Sequence, residues 1–200
     1  MKFIEILNLP APGAKLQQLC VDLVNRWEYN TSLSANIRNL VLGDADFNVV
    51  LAGQITDETV TQLVRDQYQQ YFDVDIGATL SFFKNQESHL GCLPPHTHSV
   101  RTLALNFYIE TGGSNVATTL FKFKHETPVS RFFDYYHYDD LEYQDHVVCN
   151  NPHWYAFESS EPHSVENIET TRILLAITFD PECKLDTITR QKNISYKIIL

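Results

Sequence analysis

Asp73-Val74-Asp75-Ile76-Gly77-Ala78-Thr79-Leu80-Ser81-Phe82 alternates apolar with polar or small residues along its whole length. Successive side chains of a strand point to opposite faces, so this period of two predicts a half-buried β-strand over 74–83. The pattern returns in Leu103, Leu105, Phe107 and Ile109, which alternate with Thr102, Ala104, Asn106 and Tyr108. Gly112-Gly113 supplies a turn and Val116 to Phe123 a returning strand, so strands over 102–110 and 115–123 are expected to form a hairpin. Further strands are expected at 143–149, 153–158, 163–167 and 171–179, separated by turn residues such as Asn150-Asn151-Pro152 and Ser159-Ser160-Glu161-Pro162.

Upstream the period changes. Beyond the breaker Pro10-Ala11-Pro12-Gly13, residues Leu16, Leu19, Cys20, Leu23, Val24 and Trp27 recur at helical spacing and predict an amphipathic helix over 15–28. Thr56 or Asp57 can cap a second helix, whose buried stripe is Val60, Leu63, Val64, Tyr68, Tyr71 and Phe72. Between them only Asn48–Ala52 has the look of a strand. Many short strands preceded by helices indicate a mainly β fold with bracing helices, either a sandwich of two facing sheets or a small barrel. No linker-like stretch divides the chain, so one domain over 1–200 is expected, with 1–72 as a helical bracing region and 73–200 as the β core. Ile194–Leu200 can pair on a sheet edge, and 125–142, rich in aromatic and acidic residues, has no period.

Charge and cysteine usage narrow the function classes. A formal net charge of −10 argues against sequence-independent nucleic-acid binding, which needs clustered Lys and Arg. There is no signal-peptide pattern at the N-terminus and no apolar run of membrane-spanning length, so a cytoplasmic protein without membrane attachment is expected. Cys20, Cys92, Cys149 and Cys183 are scattered without a CxxC pair, as suits reduced thiols.

The chemistry-bearing residues lie around Leu93-Pro94-Pro95-His96-Thr97-His98-Ser99-Val100-Arg101. His96 and His98 stand at i and i+2, and in a strand such residues share a face, so both imidazoles can reach one metal ion. A third imidazole, His163, sits in Glu161-Pro162-His163-Ser164-Val165-Glu166-Asn167, and Arg172 follows nine residues later at the start of an apolar strand. Along that strand Arg172, Leu174, Ala176 and Thr178 share one face while Ile173, Leu175, Ile177 and Phe179 share the other. Arg172 can therefore enter a cavity without disturbing the apolar packing face. His89, His125, His137, His146 and His153 read as exposed or hydrogen-bonded rings.

This order of motifs resembles the Fe(II)- and 2-oxoglutarate-dependent dioxygenases, in particular their prolyl-hydroxylase-like and aspartyl/asparaginyl-hydroxylase-like branches. Pro95-His96-Thr97-His98 with Leu105-Asn106-Phe107-Tyr108 looks like the first motif and its following strand; Phe157 to Asn167 followed by Arg172-Ile173-Leu174-Leu175 looks like the second. The resemblance covers about residues 75–180 and implies a double-stranded β-helix, a jelly-roll fold related to cupins. It implies His96, His98 and His163 as catalytic metal ligands for Fe(II), and Arg172, with Asn106 and Tyr108, as partners of the co-substrate 2-oxoglutarate. The substrate implied is a small molecule or a protein side chain. One departure stands out: the family carries Asp or Glu where this chain has His98. Three imidazoles are also the ligand set of cupin-type thiol dioxygenases, which use no 2-oxoglutarate, and a silent jelly-roll binding or assembly module is a third reading. Asp139, Asp140 or Glu161 could supply a carboxylate instead, Arg101 is a second cation for a co-substrate, and 131–142 is a candidate lid. Oligomeric state stays open.

Overall fold

The period-two segments become strands divided between two sheets. The computed structural model describes residues 3–27, 48–85, 89–98, 103–125, 135–150 and 152–200. In chain order the elements are β1 (Phe3–Ile6), α1 (Ala14–Arg26), β2 (Asn48–Val49), β3 (Leu51–Ile55), α2 (Glu58–Tyr68), β4 (Gly77–Lys84), β5 (Gly91–His96), β6 (Leu103–Thr111), β7 (Ala117–Phe123), β8 (Leu141–Val148), β9 (Trp154–Glu158), β10 (His163–Ile168), β11 (Thr171–Thr178), α3 (Leu185–Thr189) and β12 (Tyr196–Ile198). The major sheet runs β12-β1-β9-β6-β11-β4-β3 and the minor sheet β2-β5-β10-β7-β8. Every pairing is antiparallel except β2 with β5. Within this arrangement β4 to β11 form a four-on-four core, β4-β11-β6-β9 facing β5-β10-β7-β8. That strand order, in which the chain keeps crossing between sheets, is a jelly roll, or double-stranded β-helix.

The major sheet has two differently used faces. Leu80 and Phe82 on β4, Leu103, Leu105 and Phe107 on β6, and Ile173, Leu175 and Ile177 on β11 are buried against Leu16, Cys20 and Val24 of α1 and Val60, Val64 and Tyr68 of α2. The other phase of the same strands, with Phe83, Ala104, Tyr108, Leu174 and Ala176, meets Leu93, Leu120, Val147 and Val165 of the minor sheet. The more apolar phase therefore packs on the helices, which leaves the polar phase free to line the space between the sheets.

Local chemistry explains the helix ends. Asp57 caps α2, its carboxylate accepting from the Val60 N–H at 3.0 Å. Asp57→Ala is expected to lower stability by about 1 kcal/mol, read as a smaller denaturation midpoint with an unchanged slope. The breaker ahead of α1 is pinned by its Pro10 carbonyl, which accepts from Tyr68 Oη at 3.0 Å and Trp154 Nε1 at 2.9 Å.

Four expectations change. The first is the hairpin: β6 pairs with β11 and β9, and β7 with β10 and β8, so Gly112-Gly113 carries the chain between sheets instead. The Gly112 carbonyl accepts from the Glu169 and Thr170 N–H groups at 2.9 Å, docking this turn onto the β10–β11 turn. Gly112 has φ +81°, and a Cβ there would stand 2.8 Å from Arg172 Cβ, so both conformation and close approach require glycine. Second, the first core strand begins at Gly77, because the Ile76 backbone is engaged by α2-side groups: Arg65 Nε donates to its carbonyl and Gln69 Oε1 accepts from its N–H. Third, the bracing region also contributes β1, β2 and β3, which extend the sheets, with Val50 crossing from one to the other. Fourth, α3 follows the core, and its Leu185 and Ile188 join the helix-side cluster. The closing segment does pair at an edge, as β12 on β1. Among the described residues no helix is long and apolar enough to cross a membrane.

The thiols are free, and burial controls their reactivity. It pushes Cys20 and Cys92 up to about 12 and Cys149 up to about 11, so at pH 8 each is almost wholly the unreactive thiol. Iodoacetamide at pH 8 is expected to label half-buried Cys183 in the native protein, with the other three labelled only after denaturation, as read by mass spectrometry.

Candidate metal centre

The histidines are gathered by strand register. β5 ends at His96, β10 begins at His163, and the two are directly paired across the minor sheet. His98 lies two residues past the end of β5, with its N–H donating to the Ser159 carbonyl at 2.9 Å. Ring centroids are 4.4 Å apart for His96–His163, 5.0 Å for His96–His98 and 5.3 Å for His98–His163. One ring nitrogen from each lies within 4.8 Å of the other two, an arrangement that fits a metal site. His98, the residue most able to turn away, stays in the group.

Two of the rings have their tautomer set by the backbone. His96 Nδ1 is 2.8 Å from the Pro94 carbonyl and His163 Nδ1 is 2.9 Å from the Glu161 carbonyl. A carbonyl only accepts, so each Nδ1 carries the proton and each Nε2 carries the lone pair a metal needs. The two prolines of the motif serve this geometry. Proline offers no N–H to a ladder, and here the β5–β10 register slips between His163 and Val165. The carbonyls are used instead, Pro94 by His96 and Pro95 by the Tyr136 N–H at 2.9 Å. Asn167, at φ 62°, sits in a second slip of β10, a left-handed conformation that Asn tolerates.

These rings open on a cavity of about 290 Å³ between the sheets. Arg172, Asn106 and Tyr108 all line it, from the polar phase of β11 and β6. Arg172 is 1% exposed, its guanidinium lies 4.3 Å from the Tyr108 ring centre, and its Nε and Nη1 have no hydrogen-bond partner. The Asn106 Oδ1 and Ser81 Oγ are likewise buried without a partner. Burial holds the Tyr108 phenol well above its usual range, Cys149 pushes the same way, and Arg172 and Thr118 oppose them more weakly. Among the described residues no Asp or Glu lines the cavity.

Sequence reasoning had not singled out Ser81, Thr118, Gln54 and Tyr135, which also line the cavity. For Ser81 the signal was present, since it occupies the polar phase of the first core strand; the others become neighbours only through the sheet pairing. Tyr135 bridges to His96 and reaches the cavity, whereas Tyr136 and Tyr138 pack with Phe121, Phe123 and Leu141. The aromatic segment thus has one ring at the cavity and the next ones packed among themselves, while 126–134 lie outside the described residues, as does Arg101. Asp139, Asp140 and Glu161 do not join the histidines. His137, His146 and His153 contact Asp139, Asp145 and Glu5 respectively, away from the cluster.

No family model matches the chain, and no curated protein matches it. Among solved structures it is similar to ycfD of E. coli, with a TM-score of 0.43 and 10% identity over 95% of this chain and 43% of that one. The chain thus spans less than half the length of ycfD. It is also similar to a prolyl-4-hydroxylase of Pseudomonas putida, with a TM-score of 0.38 and 12% identity over 86% of this chain and 90% of that one. A third likeness is to an RmlC-like cupin protein of Desulfovibrio desulfuricans, at a TM-score of 0.28 and 11% identity, covering 76% and 97% of the two chains. The jelly-roll assignment rests on the strand order itself.

Proposed function

We propose that the protein is an Fe(II)- and 2-oxoglutarate-dependent dioxygenase that hydroxylates a small molecule or a protein side chain. The observation that carries this reading is Arg172, a fully buried cation whose Nε and Nη1 are unpartnered in the cavity that the three histidines border. An unpaired buried charge is costly, so the site is built for an anion, and the guanidinium fork matches a carboxylate. The donor set fits Fe(II): neutral imidazoles suit it, and three leave coordination positions for a chelating 2-oxo acid. Bound there, iron supplies the oxygen-activating redox chemistry. The chain's own residues do the rest. Arg172 holds the far carboxylate, and the Asn106 amide and the Tyr108 hydroxyl offer hydrogen bonds beside it. Phe83, Phe157, Leu93, Val165 and Leu174 keep the pocket dry.

His98 favours a second reading, a three-histidine cupin-type dioxygenase that works without 2-oxoglutarate, since no carboxylate completes the cluster among the described residues. Anaerobic titration separates the two. On the leading reading, Fe(II) followed by 2-oxoglutarate develops the visible charge-transfer band of the chelate at one equivalent of each. Iron binding with no band and no heat from 2-oxoglutarate moves the three-histidine reading first. Binding of neither leaves a silent jelly-roll module.

A further inference from the structure

Charge in the cavity identifies the class of the compound that shares it with the co-substrate, an inference that rests on the reading above. The chain as a whole carries a formal charge of −10, yet the cavity wall is the opposite. Its described lining holds Arg172 and three histidines, while every other polar side chain in it, Gln54, Ser81, Asn106, Thr118 and the phenols of Tyr108 and Tyr135, is neutral. A divalent metal held by neutral imidazoles and the Arg172 guanidinium together bring three positive charges. Dianionic 2-oxoglutarate removes two of them. One positive charge remains uncompensated in a cavity walled by Phe83, Phe157, Leu93, Val165 and Leu174, where water screens poorly. With a carboxylate at position 98 this charge would be cancelled by the protein; with His98 it is left to the ligands.

We infer that the primary substrate is itself an anion, a small carboxylic acid whose carboxylate supplies the negative charge that His98 does not. A neutral substrate of the same shape would leave the buried charge unbalanced, so the preference is electrostatic and does not depend on the rest of the molecule.

The test uses the whole protein loaded with Co(II), whose absorption reports ligands near the metal, in chloride-free buffer at fixed ionic strength with saturating 2-oxoglutarate. Propionate and propionamide, nearly equal in shape and different in charge, are the probes. Propionate is expected to bind about tenfold or more tightly than propionamide. In His98→Asp, which restores a negative charge at the metal, that preference is expected to vanish. Equal binding of the two probes, binding of neither, or a preference that survives unchanged in metal-loaded His98→Asp overturns the inference. Should His98→Asp fail to hold metal, the wild-type comparison alone decides. Absence of 2-oxoglutarate binding in the first step overturns the proposed function and this inference together; binding of 2-oxoglutarate with no charge preference overturns this inference alone.

Discussion

Arg172→Ala is expected to weaken 2-oxoglutarate binding by roughly two orders of magnitude or more, corresponding to about 2–5 kcal/mol for a charge-assisted two-point contact. Metal affinity should stay within a few-fold of wild type, because Arg172 enters from β11 of the major sheet while His96 and His163 come from β5 and β10 of the minor sheet. Stability should not collapse either. The guanidinium has no partner at Nε or Nη1, so its removal breaks no ion pair and relieves the burial of an uncompensated charge. Arg172→Lys is the informative companion: it keeps the charge, loses the planar fork, and should fall between the other two. Isothermal titration of each variant with metal and with 2-oxoglutarate gives both numbers. Equal 2-oxoglutarate binding by wild type and Arg172→Ala would show that another cation holds the far carboxylate.

His163→Ala should have the largest effect on the metal. Changing a group that merely orients a ligand costs about 10–100-fold in metal affinity, so deleting a ligand should cost about a hundredfold or more. His163 is 3% exposed, its Nδ1 is committed to the Glu161 carbonyl, and it stands directly across the sheet from His96. No side chain close by can replace it, since no carboxylate belongs to the cluster among the described residues. His146→Ala serves as the control, because that ring lies on β8 beside Asp145 and Tyr143 and should leave metal affinity unchanged. Competition with a colorimetric chelator reads both. A His163→Ala protein that folds and still holds Co(II) as tightly as wild type would mean that the three rings do not act as one site.

Much of this was legible locally. The period of two marks β4, β6 and β11, the helical spacing marks α1 and α2, and Asp57 announces the start of the second helix. Those signals are carried by neighbours in sequence, so no long-range information is needed to see them. The His-x-His spacing, the isolated His163 and the Arg at the head of an apolar strand were equally visible, and their phases on the strands agree with where the side chains point. What failed was pairing. The Gly112-Gly113 turn looked like a hairpin because two strands joined by two glycines usually pair with each other, whereas here each finds its partners in a different sheet.

The sequence by itself determined the type of each long element, the residues able to bind metal or carboxylate, and the face of its strand on which each lies, because these follow from residue chemistry and backbone period. Only the tertiary structure decided that the more apolar phase of β4, β6 and β11 faces the helices while Ser81, Asn106 and Arg172 face the other sheet. It alone set His96 opposite His163, across 67 residues of chain, and left Arg172 buried without a partner at Nε and Nη1. The physical reason is that an alternating strand specifies two faces but not which neighbour covers each. That choice belongs to the competition among all the apolar surfaces for burial, and it is settled only when both sheets and both helices are in place.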